Sequence, residues 1–182
     1  MSFRGNSKFF VFGFLFLFIA LILDVIGVAT PYWFYAEKNG VKIYGGLWKS
    51  CLDISGSEES KCNKYEDVPD WLKAVRGFGF LGILVSTLAL TSASLKICLK
   101  DRVSLLIIAI ILSFISALCS VVSIAVFARK YPNLVIEMIR NDLNFNFSFI
   151  FCALFIVLSA FAGICMIIQI AKRTSYSTID GR

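Results

Sequence analysis

The sequence contains no histidine and only three prolines, and charged residues occupy just 16% of its 182 positions. Without histidine the chain lacks the most common general base, proton shuttle and metal ligand, which argues against most enzyme classes. The scarcity of charge accompanies a hydrophobic content of 58%. That content excludes intrinsic disorder, which requires a low hydrophobicity, and it also excludes an ordinary water-soluble domain. The composition therefore indicates a membrane protein.

Four apolar runs are long enough to cross about 30 Å of hydrocarbon, at about 1.5 Å of helix per residue. They cover residues 9–31, 77–95, 103–128 and 147–171, and within them only Asp24 carries a formal charge. The first run exceeds the apolar region of a secretory signal, typically about 7 to 15 residues, so we predict that it is retained. The sequence predicts a single tetraspan domain over residues 1–182, all-α within the membrane, with its helices in a left-handed bundle.

Basic residues indicate the orientation of the four spans. Residues 1–8, 96–102 and 172–182 hold eight Lys or Arg in about 26 positions, a higher density than in residues 32–76 and 129–146. Because short cytoplasmic segments are enriched in Lys and Arg, we predict that the first three segments are cytoplasmic and the other two extracellular. This places both termini inside the cell and assigns the net charge of +6 to membrane edges rather than to nucleic-acid binding.

The segment between the first two spans differs in composition from the rest of the chain. It contains all three tryptophans, and its short aromatic or β-branched stretches are separated by Asn39-Gly40 and Gly45-Gly46. Asn-Gly readily adopts the positive φ angles of a two-residue hairpin turn. We therefore predict strands at residues 33–37, 41–44, 47–52 and 61–65, forming a small extracellular antiparallel sheet on the bundle.

The six cysteines divide by predicted compartment. Cys51 and Cys62 are the only two on the oxidising side, so we expect a disulfide bond between them, the alternative being two free thiols. Cys98 lies between Lys96 and Lys100 at the cytoplasmic membrane edge, which makes it a candidate for S-palmitoylation.

These features together resemble the claudin, peripheral myelin protein, epithelial membrane protein and lens intrinsic membrane protein superfamily. The hallmark of that superfamily is a tryptophan followed by Gly-Leu-Trp and two cysteines in the first extracellular segment. The matching residues, in order, are Trp33, Gly46, Leu47, Trp48, Cys51 and Cys62, and Arg76 matches a basic residue often present at the start of the second span. The short interval from Trp33 to Trp48 is nearer to the epithelial and lens branch. The resemblance covers essentially the whole chain.

Three features within the predicted fold allow two interpretations each. Trp33 and Trp48 either anchor the sheet at headgroup level or recognise a partner. Asp24 is either a carboxyl hydrogen-bonded to hydroxyl groups or a ligand for an ion or proton. The serines at positions 113, 116, 120 and 123 either allow close helix packing or line a polar path.

The resemblance implies a non-enzymatic protein of cell–cell contacts, acting as a structural, adhesion or junction component through its extracellular sheet. The partners expected are the lipid bilayer and like or related tetraspan proteins, with no cofactor or metal. Two alternatives remain: an auxiliary subunit of an ion channel or receptor, and a paracellular channel former. One scaffold can host each of these roles, so the sequence does not choose among them.

Overall fold

The computed structural model describes residues 8–38, 40–54, 60–99, 102–134 and 143–180. Four long helices, α1 to α4, account for most of them: α1 is Lys8–Ala29, α2 is Asp70–Cys98, α3 is Val103–Leu134 and α4 is Phe147–Asp180. All four are long and apolar enough to cross a membrane. The predicted tetraspan architecture is therefore confirmed, and the chain is a multi-pass membrane protein. α2 begins seven residues before its apolar run, at Asp70.

The helices form a closed ring, in which α1 packs on α2 and α4, and α3 packs on the same two neighbours. Within each helix, one line of buried positions runs in steps of three and four residues. They are Gly13, Leu17, Ala20, Asp24 and Gly27 in α1; Val75, Gly79, Gly82, Ser86, Ala89 and Ala93 in α2; Ala109, Ser113, Ser116, Ser120, Ser123 and Phe127 in α3; and Ser148, Cys152, Phe155, Ser159, Ala162 and Met166 in α4. An average step of 3.5 residues is the period of left-handed helix packing.

Many of these buried positions are glycine, alanine or serine, which lets the helix backbones approach closely. A Cβ atom placed on Gly27 would lie 2.6 Å from the sulfur of Cys152 and 2.9 Å from the carbonyl oxygen of Ser148. Gly27 therefore marks the closest approach of α1 to α4. Gly77 of α2, in contrast, has no heavy atom within 4 Å of the corresponding position.

A five-stranded antiparallel sheet lies at one end of the bundle, with the strand order β4-β3-β2-β1-β5. The strands are β1 (Phe34–Lys38), β2 (Val41–Gly45), β3 (Lys49–Ile54), β4 (Lys61–Lys64) and β5 (Leu143–Phe145). The predicted hairpin joins β1 to β2, and Gly40 has the positive φ of 77° that this turn requires. Asn39 lies outside the described residues.

Two details of the sheet differ from the sequence prediction. β3 begins at Lys49 rather than at residue 47, because Gly46, Leu47 and Trp48 form the connection to the bundle. β5 was not predicted: it comes from the second loop and pairs with β1, Tyr35 lying opposite Asn144. A three-residue strand has no clear sequence pattern of its own and depends on the partner strand.

Gly27 and Gly77 differ in the space around their Cβ positions, and this difference allows a test of the helix packing. We expect Gly27→Ala to lower the thermal stability of the purified protein by about 1–3 kcal/mol, because the added methyl group overpacks the α1–α4 contact. The matched change Gly77→Ala should be neutral or stabilising by up to about 1 kcal/mol, since it restricts the unfolded chain without a clash. Thermal denaturation in detergent measures both, and equal stabilities of the two variants would contradict the packing described.

Candidate functional site

The candidate site is the junction at which the sheet meets the end of α1. The last carbonyl groups of a helix have no partner within it, and they are costly to leave unpaired away from water. Thr30 pairs the first of these carbonyl groups, that of Ile26. Its N–H and its hydroxyl both donate to the Ile26 oxygen, at 3.0 and 2.6 Å. The next two carbonyl oxygens belong to Gly27 and Val28.

Two tryptophans adjoining the strands donate hydrogen bonds to these two carbonyl oxygens. The indole Nε1–H of Trp33 donates to the oxygen of Gly27 at 2.8 Å, and that of Trp48 donates to the oxygen of Val28 at the same distance. The two residues are separated by 15 positions in the chain and approach α1 from different parts of the sheet. Both indoles therefore cap α1 and attach the sheet to it.

Trp33 is completely buried within the protein. Its ring makes edge-on contacts with Phe127 of α3 and Phe149 of α4, with centroid distances of 4.8 and 5.9 Å. Trp33 consequently anchors the sheet to three helices, and protein rather than lipid headgroups surrounds its ring. This corrects the interpretation of Trp33 as an anchor at headgroup level, whereas Trp48 is half-buried.

Gly46, Leu47 and Trp48 form a tight connection between β2 and β3. The N–H of Gly46 donates to the oxygen of Lys49 at 3.0 Å, and Leu47 is fully buried. A Cβ atom on Gly46 would lie 2.7 Å from Cα of Pro31, so only glycine allows this approach to the exit of α1.

Arg76 holds the same connection from the side of α2. Its Nε donates to the oxygen of Leu47 at 2.8 Å, and its guanidinium lies 4.7 Å from the centroid of the Trp48 ring. This combines a charge-assisted hydrogen bond with a cation–π contact. The family motif residues predicted from the sequence, apart from the cysteines, therefore meet at one junction.

The disulfide bond lies farther out, between adjacent strands. Cys51 of β3 is bonded to Cys62 of β4, directly opposite it in the ladder. Tyr65, just after β4, donates its hydroxyl to the oxygen of Gly46 at 3.2 Å, and burial raises the pKa of this phenol above its ordinary value. The disulfide bond thus joins β3 to β4 covalently, and the hydrogen bond of Tyr65 attaches the end of β4 to the junction.

Asp24 lies one turn before Gly27 on the buried face of α1 and is completely buried. The hydroxyl of Ser120 in α3 donates to its Oδ1 at 3.5 Å, and the thiol of Cys152 in α4 also hydrogen-bonds to the carboxyl. Its Oδ2 has no hydrogen-bond partner among the described residues. The carboxyl therefore joins three helices without contacting the sheet.

The serines of α3 are used mainly for bonds to main-chain carbonyls. Ser123 donates to the oxygen of Val75 in α2 at 3.0 Å, and Ser159 of α4 donates to the oxygen of Ser113 at 2.9 Å. Ser116 and Ser159 also lie 3.3 Å apart through their hydroxyl oxygens. These contacts favour the packing interpretation of the serine stripe over a polar path.

Several residues of the junction carried no recognisable sequence signal. Phe127 and Phe149 lie inside apolar runs rich in similar residues, so nothing marks them as neighbours of Trp33. Ser148 connects the start of α4 to the residues that follow α1. Its hydroxyl oxygen is 2.7 Å from that of Thr30, and its N–H donates to the oxygen of Tyr32 at 3.1 Å. Its position at the start of the fourth apolar run gave no indication of these two contacts.

Cys98 is not part of this site. It is exposed at the last residue of α2, at the end of the bundle opposite the sheet. Its palmitoylation stays a prediction.

Within the described ranges, no three His, Cys, Asp or Glu side chains form a group that could hold a metal ion. What the junction provides is a rigid attachment of a polar sheet to four apolar helices.

Comparison with known protein families matches residues 7–166 to the PMP-22/EMP/MP20/Claudin family. The matched range begins before α1 and ends within α4, so it includes the sheet, the junction and Asp24.

The capping role of Trp33 can be separated from the bulk of its ring. Trp33→Phe should lower stability by about 1–3 kcal/mol beyond the packing loss, because the buried oxygen of Gly27 loses its donor. Trp71→Phe is the control, since the Nε1–H of Trp71 is buried without a partner in the described part of the chain. Thermal denaturation of both variants tests this, and equal destabilisation would show that the hydrogen bond contributes nothing.

Proposed function

The chain belongs to the PMP-22/EMP/MP20/Claudin family, and on that basis we propose that it is a non-enzymatic structural component of cell–cell contacts, acting through its sheet. The observation that carries this proposal is the rigid attachment of the sheet at the junction. A surface that must hold a neighbouring molecule loses less entropy on binding when it is already ordered.

The sheet is assigned to the extracellular side in this proposal, with both chain termini in the cytoplasm and the protein in the plasma membrane. The disulfide bond supports this orientation, because such bonds persist in oxidising compartments. The higher density of Lys and Arg at the opposite end of the bundle supports it as well.

β4 is the part of the sheet best placed to meet a partner. It is an edge strand, all four of its residues are exposed, and it includes Lys61 and Lys64. Glu66 and Asp67, which follow β4 after Tyr65, are also exposed. The edge therefore presents neighbouring basic and acidic side chains, which complement the same surface on a second copy of the chain. The loop of residues 55–59 lies outside the described residues.

Expression of the tagged protein in claudin-deficient epithelial cells tests the proposal. We expect enrichment at cell contacts and a changed transepithelial resistance for the unaltered chain. Lys64→Glu should reduce both effects at equal surface expression, because it places a like charge beside the acids of a neighbour. Lys73→Glu is the control, as Lys73 is exposed on α2 and forms only a surface ion pair with Asp70.

A diffuse surface distribution with unchanged resistance for the unaltered chain would contradict the proposal and favour an auxiliary channel subunit. Equal loss with Lys64→Glu and Lys73→Glu would show that β4 is not the contact surface. If the unaltered chain increased ion permeability with a clear preference for one ion, a channel former would be favoured instead.

For Asp24 we propose a structural role as the hydrogen-bonding centre of α1, α3 and α4. Asp24→Asn preserves the size of the side chain and an oxygen for Ser120, so stability should change little. Asp24→Leu removes the interhelical hydrogen bonds and should cost about 0.6–2 kcal/mol. Thermal denaturation measures this difference, and ion permeability of the same epithelial monolayers provides the second readout. Loss of a conductance in Asp24→Asn at normal stability would overturn the structural role.

A further inference from the structure

Two helices bring basic side chains to the end of the bundle opposite the sheet, beside two aromatic rings of a third. Lys96 comes from the last turn of α2, and Lys172 and Arg173 come from α4. The ammonium of Lys96 lies 3.9 Å from the centroid of the Phe10 ring, and that of Lys172 lies 4.2 Å from the centroid of Phe9. Two aromatic rings of α1 thus position two cations. We call Lys96, Lys172 and Arg173 the basic corner.

The position of the basic corner follows from helix packing. Arg173 continues the line of Met166 and Ile170, which face the core formed with α1 and α2. This line brings Arg173 close enough to Lys96 for the two positive charges to interact. Lys96 is half-buried over Phe10, a fully buried residue. The two cations therefore lie within range of each other's charge.

The segments predicted to be cytoplasmic carry a net positive charge when their acids are counted. Residues 1–8, 96–102 and 172–182 contain eight Lys or Arg and two Asp, which gives a formal charge of +6. Pairing of both acids with neighbouring cations would leave that net charge unchanged. An anionic ligand is therefore favoured at the basic corner whichever of its members also makes contacts within the protein.

A buried polar atom lies next to the basic corner. Oε1 of Gln169 is buried and has no hydrogen-bond partner in the part of the chain that the structure describes. Gln169 precedes Lys172 by three residues and Arg173 by four, so the three lie on adjoining positions of α4. A ligand that carries a hydroxyl or ammonium group beside its anionic group would satisfy this oxygen.

We propose that the basic corner binds the phosphate of an anionic phospholipid. Exposed apolar side chains lie at the same end of the helices: Leu95 on α2, Leu99 just after it, and Ile167 on α4. These side chains suit acyl chains, whereas a free phosphate ion would gain nothing from them. The phosphate contacts Lys96 and Arg173, and a donor group of the headgroup reaches Gln169.

Native mass spectrometry of the full-length protein, released from nanodiscs, measures this binding. The nanodiscs contain phosphatidylcholine with about one tenth phosphatidylserine, whose ammonium group supplies the donor. We expect the unaltered chain to retain the anionic lipid preferentially. Each basic residue near an anionic lipid contributes about a fivefold effect, so Lys96→Gln with Arg173→Gln should lower retention by about 25-fold. The control is Lys8→Gln with Arg102→Gln, the same charge change at the same end.

Equal losses in the two double variants would overturn the proposal, because they would show delocalised attraction instead of a site. Unchanged retention after Lys96→Gln with Arg173→Gln would overturn it as well. Inorganic phosphate, added as a competitor, should not displace the lipid at millimolar concentration, and displacement would assign the site to a free anion. Phe10→Leu should reduce retention without changing any charge, which checks that the aromatic ring positions Lys96.

Discussion

The constraint on which the rest of this structure depends is the pairing of the main-chain carbonyl groups at the end of α1. The chain leaves the bundle there among apolar side chains, where an unpaired carbonyl group is costly. Trp33 and Trp48 supply the missing donors from the sheet. The helix end is therefore complete only when the sheet is folded on it, and the sheet is oriented by the same two bonds.

The fifth strand extends this coupling to the other end of the chain. The N–H of Asn146 donates to the oxygen of Trp33, and that of Ser148 donates to the oxygen of Tyr32. The start of α4 is thus bonded to the same two residues through which α1 passes into β1. Because α1 also packs on α4 along its length, with Gly27 at their closest approach, the junction and the bundle stabilise each other.

Those parts of the fold that depend on local pattern were predictable from the sequence. The apolar runs specified the helices, since each must satisfy its own main-chain hydrogen bonds in lipid, and Asn39-Gly40 specified the first hairpin. β5 and the aromatic neighbours of Trp33 were not predictable, because they arise from contacts between segments 94 to 116 residues apart. The role of Trp33 was misjudged for a related reason: a tryptophan near a membrane edge has the same sequence signature whether its ring faces lipid or protein.

The same requirements for close packing and paired hydrogen bonds limit which positions of this chain can vary in side chain. The outward helix faces are in contact with lipid and must remain apolar, while the inward faces need small residues and paired hydroxyl groups. The junction cannot vary freely either, since Gly46 has no room for a side chain and both indoles have carbonyl partners. Exposed positions of the sheet are free of these demands. Under the proposed function, recognition of a neighbour is therefore expected at the edge of the sheet, where a change of side chain leaves the attachment to the helices intact.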